Sequence, residues 1–341
     1  MIAERLTAQL LAGAPAQSPA DVVRRLLAVQ GQDARGARLA IRARTTGLAA
    51  TDVDRALSDD RSLLITWLNR GTLHLVASED YPWLHALTTP PLLTGNARRL
   101  AQEGVTRSRA ERGVEVIARS LAEEGPLTRI QLRERIAAAG VRTEGQALMH
   151  LLMLASLRGT AVRGPMVGRQ HAYVLAADWL GRPARAIDRE RALAELARRY
   201  LAGHGPADER DLAKWAGLPL RDVRAGFGAI ASELHTRSDG LLDLTGRPPT
   251  AELPPPRLLG AFDPLLLGWT SREAILAAHH QRIVTVNGLF RPFALVRGRA
   301  VATWKISADE VVLDDPFDRL TRRDTAALNT DAKDVVRYLA S

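Results

Sequence analysis

The 341 residues include no cysteine, only three lysines among 47 basic side chains, and aromatic residues at just 4%. Without cysteine there is neither a disulfide framework nor a thiolate metal site, which fits a reducing cytoplasm. No apolar run is long enough to span a bilayer. The opening Met1-Ile2-Ala3-Glu4-Arg5 lacks the basic-then-apolar layout of a secretory leader, so no membrane partner is expected. Phosphate-cradling glycine motifs of the Walker or Rossmann kind are missing, and the pair His279-His280 lacks the further ligands of a zinc site. Neither a metal nor a cofactor is expected.

What is present is ordinary for a folded chain: 46% hydrophobic and 25% charged residues. The length exceeds what one core usually serves, so two to four units are expected. The net charge is +9, and because residues 306–341 carry more acidic than basic side chains, the positive excess belongs to the first 305 residues. Arginine dominates the basic set. A GC-rich coding bias explains that by itself, but arginine also binds phosphate bidentately and stacks on bases, which points to a polyanionic partner.

Along the chain, residues 1–60 read as helices: 2–11, 19–30, 33–44 and 51–57. Two strands follow, 62–67 and 72–76, around the turn Leu68-Asn69-Arg70-Gly71. Helices then a hairpin is the order of a winged helix. A helix from 78 to 87 leads through Thr89-Pro90-Pro91 to a second copy, with helices 109–124, 129–139 (capped by Thr128) and 144–158. Its strands, 160–163 and 171–175, flank a wing containing Gly164-Pro165 and Arg169. A third copy has helices 189–201, 209–216 (capped by Asp208) and 221–233, then strands 234–237 and 241–244. Gly125-Pro126-Leu127-Thr128 aligns with Gly205-Pro206-Ala207-Asp208, an internal repeat, and Pro19-Ala20-Asp21 resembles a degenerate first member. Beyond Pro254-Pro255-Pro256 come strands 283–286, 293–296 and 301–305 and a helix 332–340. The expected fold is mainly α with small β elements: winged helices over 1–100, 101–185 and 186–252, and a β-rich, barrel-like module over 253–341.

Tandem winged helices on a basic chain make duplex DNA the default ligand. The chemistry concentrates in Val29-Gln30-Gly31-Gln32-Asp33, where an apolar helix is expected to end at Gly31 and Asp33 to cap the next. On a continuous helix the two glutamines would diverge, whereas around an extended break both amides face one cleft. The competing reading is that they satisfy backbone groups at a helix junction.

That segment, with Arg70-Gly71-Thr72-Leu73-His74-Leu75-Val76, Phe262-Asp263-Pro264-Leu265-Leu266 and Thr303-Trp304-Lys305, resembles the AlkZ/YcaQ family of winged-helix DNA glycosylases over nearly the whole chain. The resemblance implies three tandem winged helices and the C-terminal module in a C-shaped DNA-binding arrangement. It also implies excision of N-alkylated purines, bulky adducts and interstrand crosslinks within its range, and a catalytic Gln-x-Gln motif at Gln30 and Gln32. A neutral amide is a weak base but can hold water for attack on C1′. A cationic N7- or N3-alkylated purine leaves without protonation, so positioning is most of what the protein supplies.

Around that pair, His74 and Asp263 are second-tier candidates, the first facing phosphate or lesion or else a buried, hydrogen-bonded structural histidine, the second a turn cap or a carboxylate near an oxocarbenium ion. Arg35, Arg38, Arg70, Arg163, Arg169, Arg237 and Lys305 are candidate DNA contacts, although the stripe Arg35, Arg38, Arg42 also reads as a solvated face. No lysine near the glutamines offers a Schiff base, so a monofunctional enzyme is expected. The six tryptophans, Trp67, Trp83, Trp179, Trp215, Trp269 and Trp304, read as core anchors, which leaves room for a cleft that reads a distorted duplex with little base flipping. The expected protein is a cytoplasmic, nucleoid-associated monomer acting on damaged double-stranded DNA. The alternative is a non-catalytic winged-helix DNA-binding protein or transcriptional regulator, which would dimerise on spaced half-sites.

Overall fold

A computed structural model describes residues 1–168, 170–181, 187–314 and 316–340. The molecule is mixed α/β, 51% helical and 18% strand among the described residues, in two compact units, residues 1–53 with 190–341, and residues 54–189.

In the unit 54–189 four antiparallel strands lie in the order Thr72–Ala77, Leu63–Leu68, Ala161–Val167, Gln170–Leu175. The hairpin expected to finish the first winged helix thus shares a sheet with the strands expected to form the second wing, through Ile65 opposite Arg163. Leu63–Leu68 is buried at every position, which explains why it reads as a continuous apolar run rather than an alternating one. Gly164-Pro165, expected in a loop, instead sits inside Ala161–Val167, where the register shifts between Arg163 and Met166; a bulge tolerates a proline that a regular ladder does not.

Thr128 caps Arg129–Ala138 through a capping box with Gln131. Helix Ala147–Leu157 is buried on nearly all sides, as its predominantly apolar sequence requires. In this unit two helices are not expected from sequence, the short Ala176–Leu180 and the longer Pro90–Gln102. Pro90-Pro91 looks like a break, but proline is favoured at the first helical position, where its missing N–H costs nothing.

In the other unit, Ser18, Asp33 and Asp208 cap Pro19–Leu26, Ala34–Arg42 and Glu209–Ala216, each side chain accepting a backbone N–H of the first turn. The repeated Gly-Pro segment has a structural counterpart. Leu127 bridges Tyr173 in one copy and Ala207 bridges Leu242 in the other, so each cap is preceded by a residue paired with a strand of its own copy.

The C-terminal part is a four-stranded antiparallel sheet, Arg257–Leu259, Phe293–Val296, Arg299–Ser307 and Glu310–Leu313 in spatial order. Helix Arg322–Ala340 packs on it with Leu39, Leu258, Ala294, Val296, Val301, Ala302, Trp304, Leu328 and Val335 in one core. Each fully buried leucine there contributes about 1.5–3 kcal/mol. Two expectations are corrected and a strand is added. Residues 283–286 are not a strand, since Ile283 ends a short helix and only Val284 bridges, to Phe290. The closing helix starts ten residues earlier than its apolar stripe suggests. Glu310–Leu313, too short and polar at its start to stand out, is a strand.

Candidate active site

Helix Pro19–Leu26 ends earlier than Gly31, because Leu27 turns to φ 65° and ψ −39°. Val29–Gln30 is then extended, and the chain stays non-helical until Asp33 caps the next helix by accepting from Gly36 N–H. On extended backbone, residues two apart project to the same side. The glutamines meet accordingly: Gln30 Nε2 donates to Gln32 Oε1 at 2.6 Å. Gln30 is 6% exposed and Gln32 lies at the surface. The contact spends one donor and one acceptor, leaving Gln30 Oε1 to accept and Gln32 Nε2 to donate toward a substrate. A buried amide held by an exposed one is an ordered place to hold water.

The backbone beneath this pair is fixed by residues far away in sequence. Gly36, in the first turn of Ala34–Arg42, packs on the 260–261 backbone, and a Cβ there would fall onto the carbonyl of Ala261. A Cβ on Gly260 would in turn stand 3.1 Å from Gly36 Cα. Two residues on, Asp263 is fully buried. Its oxygens take Arg44 Nη1 at 2.9 Å and Nη2 at 2.8 Å, and one also accepts Leu265 N–H at 2.9 Å. Arg44 reaches Gln9 as well, through Nε to the backbone carbonyl at 2.9 Å and Nη2 to Oε1 at 3.0 Å. Asp263 is therefore a turn cap and ion-pair partner, and not a carboxylate available to a sugar cation. Arg44 and Gln9 were not singled out from sequence; an arginine ending an apolar helix was the only signal.

The arginine stripe on Ala34–Arg42 is likewise not a solvated face. Arg35 is exposed, but Arg38 is buried and donates to Ala34 O at 3.0 Å. Arg42 is buried and grips the last helix through Asp331 at 2.8 Å and Asp334 at 2.9 Å, with Leu258 O at 2.9 Å. Burial opposes its charge, but the hydrogen bonds and field of Asp331 and Asp334 outweigh that and raise its pKa.

Other candidates divide similarly. His74 is buried, with Nδ1 donating to Thr72 O at 2.9 Å. Burial first, then the nearby Arg70 charge, push its pKa down to about 3, so it is neutral at pH 7. Arg163 is half-buried between the rings of Trp67 at 5.0 Å and Tyr173 at 4.9 Å, with Nε on the Tyr173 hydroxyl at 2.9 Å. It packs the sheet and is not presented as a wing contact. Arg237 is paired with Glu4 at 2.5 Å and Asp239 at 3.2 Å. Lys305 is exposed, 3.8 Å from Asp314. Arg70 is exposed on its turn, and Arg169 lies outside the described residues. All six tryptophans are buried, as expected of core anchors. Sequence reading also passed over Arg129 and Arg133, which with Thr143 line an open concavity of about 280 Å³ at the start of helix Arg129–Ala138. Among the described residues no helix is long and apolar enough to cross a membrane.

Set beside known proteins, the chain falls in the class of DNA glycosylases rather than of regulators. The model of the family described as DNA glycosylase AlkZ-like matches residues 23–338, and the chain belongs to that family. Among curated proteins it is 29% identical, over 362 residues, to the interstrand DNA cross-link repair glycosylase of Streptomyces sahachiroi, covering 99% of this chain and 95% of the relative. Among solved structures it resembles the Streptomyces sahachiroi DNA glycosylase AlkZ with a TM-score of 0.82 and 28% identity, again over 99% and 95% of the two chains.

Proposed function

We propose that the chain hydrolyses the N-glycosidic bond of cationic N7- or N3-alkylated purines in damaged double-stranded DNA, with Gln30 and Gln32 as the catalytic pair of the Gln-x-Gln subgroup. The observation that carries this reading is the 2.6 Å contact between the two amides on extended backbone. Gln30 Oε1 accepts from a water and aims its oxygen at C1′; Gln32 Nε2 remains to donate to the sugar or the water. The C1′–N9 bond breaks with its electron pair passing to the positively charged purine, which leaves neutral. Water oxygen closes on C1′, and its proton goes to solvent. No acid is needed at the leaving group, so two neutral side chains suffice for this substrate and fail on undamaged bases.

The printed name of the Streptomyces sahachiroi relative supports extending the range to interstrand crosslinks. A monofunctional reaction is supported by the lysines. Lys214 and Lys305 belong to other elements, where they approach Thr270 O and Asp314, and Lys333 lies in the last helix. The exposed Arg35 and Arg70, and Arg129 and Arg133 on the second repeat, are the cations we assign to phosphate. We read the architecture as three tandem winged helices over 1–100, 101–185 and 186–252 with a C-terminal module over 253–341. The equivalent bridges at Leu127 and Ala207 support it. The protein acts as a monomer without a cofactor. Release of 7-methylguanine from a duplex tests the reading: the native chain releases it, and the Gln30→Ala/Gln32→Ala variant, folded and still binding DNA, does not.

A further inference from the structure

A second concavity lies wholly within residues 54–189, and none of its residues is assigned a role above. It has a volume of about 680 Å³, opens to solvent, and is walled by Tyr81, His85, Arg158, Gly159, Asp178 and Leu180 among others. Its lining is polar in a specific way. Tyr81 is only 4% exposed, yet its hydroxyl has no hydrogen-bond partner, a state that buried hydroxyls rarely occupy without a ligand or water to serve. The Tyr81 and His85 rings lie 5.1 Å apart, and His85 is fixed by Nε2 donating to Ser156 O at 2.9 Å. Gly159 leaves the space beside both rings open: a Cβ there would stand 3.6 Å from His85 Cε1 and 3.7 Å from the Tyr81 hydroxyl. Arg158 is held by Glu111, with Nη2 at 2.6 Å from Oε1, so one guanidinium is set in place on the wall. Asp178 is exposed and supplies a carboxylate to the same cavity.

We propose that this cavity binds a guanine-type base, and that its natural occupant is the free base a glycosylase releases. A carboxylate only accepts, and guanine offers it adjacent N1–H and N2–H₂ donors. A guanidinium and a phenol donate, and guanine offers O6 and N3. The rings and Leu180 supply apolar cover for the flat face. Burial raises the Tyr81 pKa, which keeps its hydroxyl a donor. Adenine presents an acceptor where guanine has N1–H and an amine where it has O6, so the same groups reject it. The choice of guanine rests on the purine reading above. An unpaired guanine in a DNA strand shares this edge, and the test separates the two sources.

The experiment is calorimetric titration of the full chain with 7-methylguanine, adenine and a guanine-containing single-stranded pentanucleotide, beside base-release assays with and without added 7-methylguanine. The native chain binds one 7-methylguanine and binds adenine at least tenfold more weakly. Asp178→Asn weakens 7-methylguanine by at least tenfold and Tyr81→Phe, which removes a hydroxyl bonded to nothing in the free protein, by about threefold. Gln30→Ala/Gln32→Ala binds the free base unchanged, and added base slows release by the native chain more than by Asp178→Asn. Several results overturn the inference: no binding by a native chain that releases base, equal binding by native, Asp178→Asn and Tyr81→Phe, loss of binding in the Gln variant, or binding of the pentanucleotide but not of the free base. A chain that binds the base as described yet releases none from DNA refutes the proposed function and leaves the cavity's assignment standing.

Discussion

An amide can hold a water molecule, but it takes up no proton near neutral pH, and this limit shapes what Gln30 and Gln32 can be asked to do. Their contact at 2.6 Å orders both side chains, which is what the proposed role of positioning a water requires. The same residue scale shows how much of the molecule is spent on holding that segment still. Asp263 and Arg44 are both fully buried, joined by two hydrogen bonds. Breaking such a pair strands a charge in the interior. Asp263→Asn is therefore expected to lower unfolding free energy by about 3–5 kcal/mol in urea denaturation; a loss below about 1 kcal/mol would show that the pair is not what anchors the turn.

Buried histidines set a second expectation. His74 and His204 are both pushed from an ordinary 6.5 to about 3, chiefly by burial. Between those values the unfolded chain binds protons that the folded chain refuses, so stability falls as pH drops from about 6.5 toward 3. Thermal midpoints measured across that window should decline steadily, and His74→Gln should flatten part of the slope. A midpoint unchanged between pH 7 and pH 4 would contradict the burial assignment.

At the scale of elements, caps were the most legible feature. Asp33, Thr128 and Asp208 are recognisable in sequence because a side-chain oxygen ahead of a helical pattern has one local job. Long-range partners left no comparable mark. Arg237 meets Glu4 across 233 positions and Arg42 meets Asp331 across 289, so neither could be told from an arginine awaiting phosphate. Arg163 meets Tyr173 only ten residues away, yet the sandwich with Trp67 depends on sheet pairing that periodicity does not specify. The Gln-x-Gln geometry was half legible. A break was readable, but its cause, Leu27 turning to positive φ rather than Gly31 ending a helix, was not. Docking of Ala34–Arg42 on the 260–261 backbone gives this scale its test. Gly36→Val places bulk against the Ala261 carbonyl and should cut base release at least tenfold by displacing Asp33 and the glutamines before it. The comparison is made at a temperature where circular dichroism shows the variant still folded, and a folded variant with native activity would refute the coupling.

For the whole molecule, the net charge of +9 and its almost exclusive use of arginine bear on the encounter with DNA more than on chemistry. Each neutralised phosphate releases counterion, so affinity for an undamaged random duplex should fall linearly in a double-logarithmic plot against salt, by about 0.9 for each contact. It should also depend little on sequence. Tight, salt-insensitive binding to one sequence would instead describe a regulator.

The most direct test is base release from a duplex carrying a single 7-methylguanine, run on the native chain and on Gln30→Ala/Gln32→Ala at matched fold and DNA affinity. The expected result is release by the native chain and at least a hundredfold slower release by the variant, about 2.7 kcal/mol of barrier. Equal release by both would contradict it, because the chemistry would then belong to residues other than the two amides.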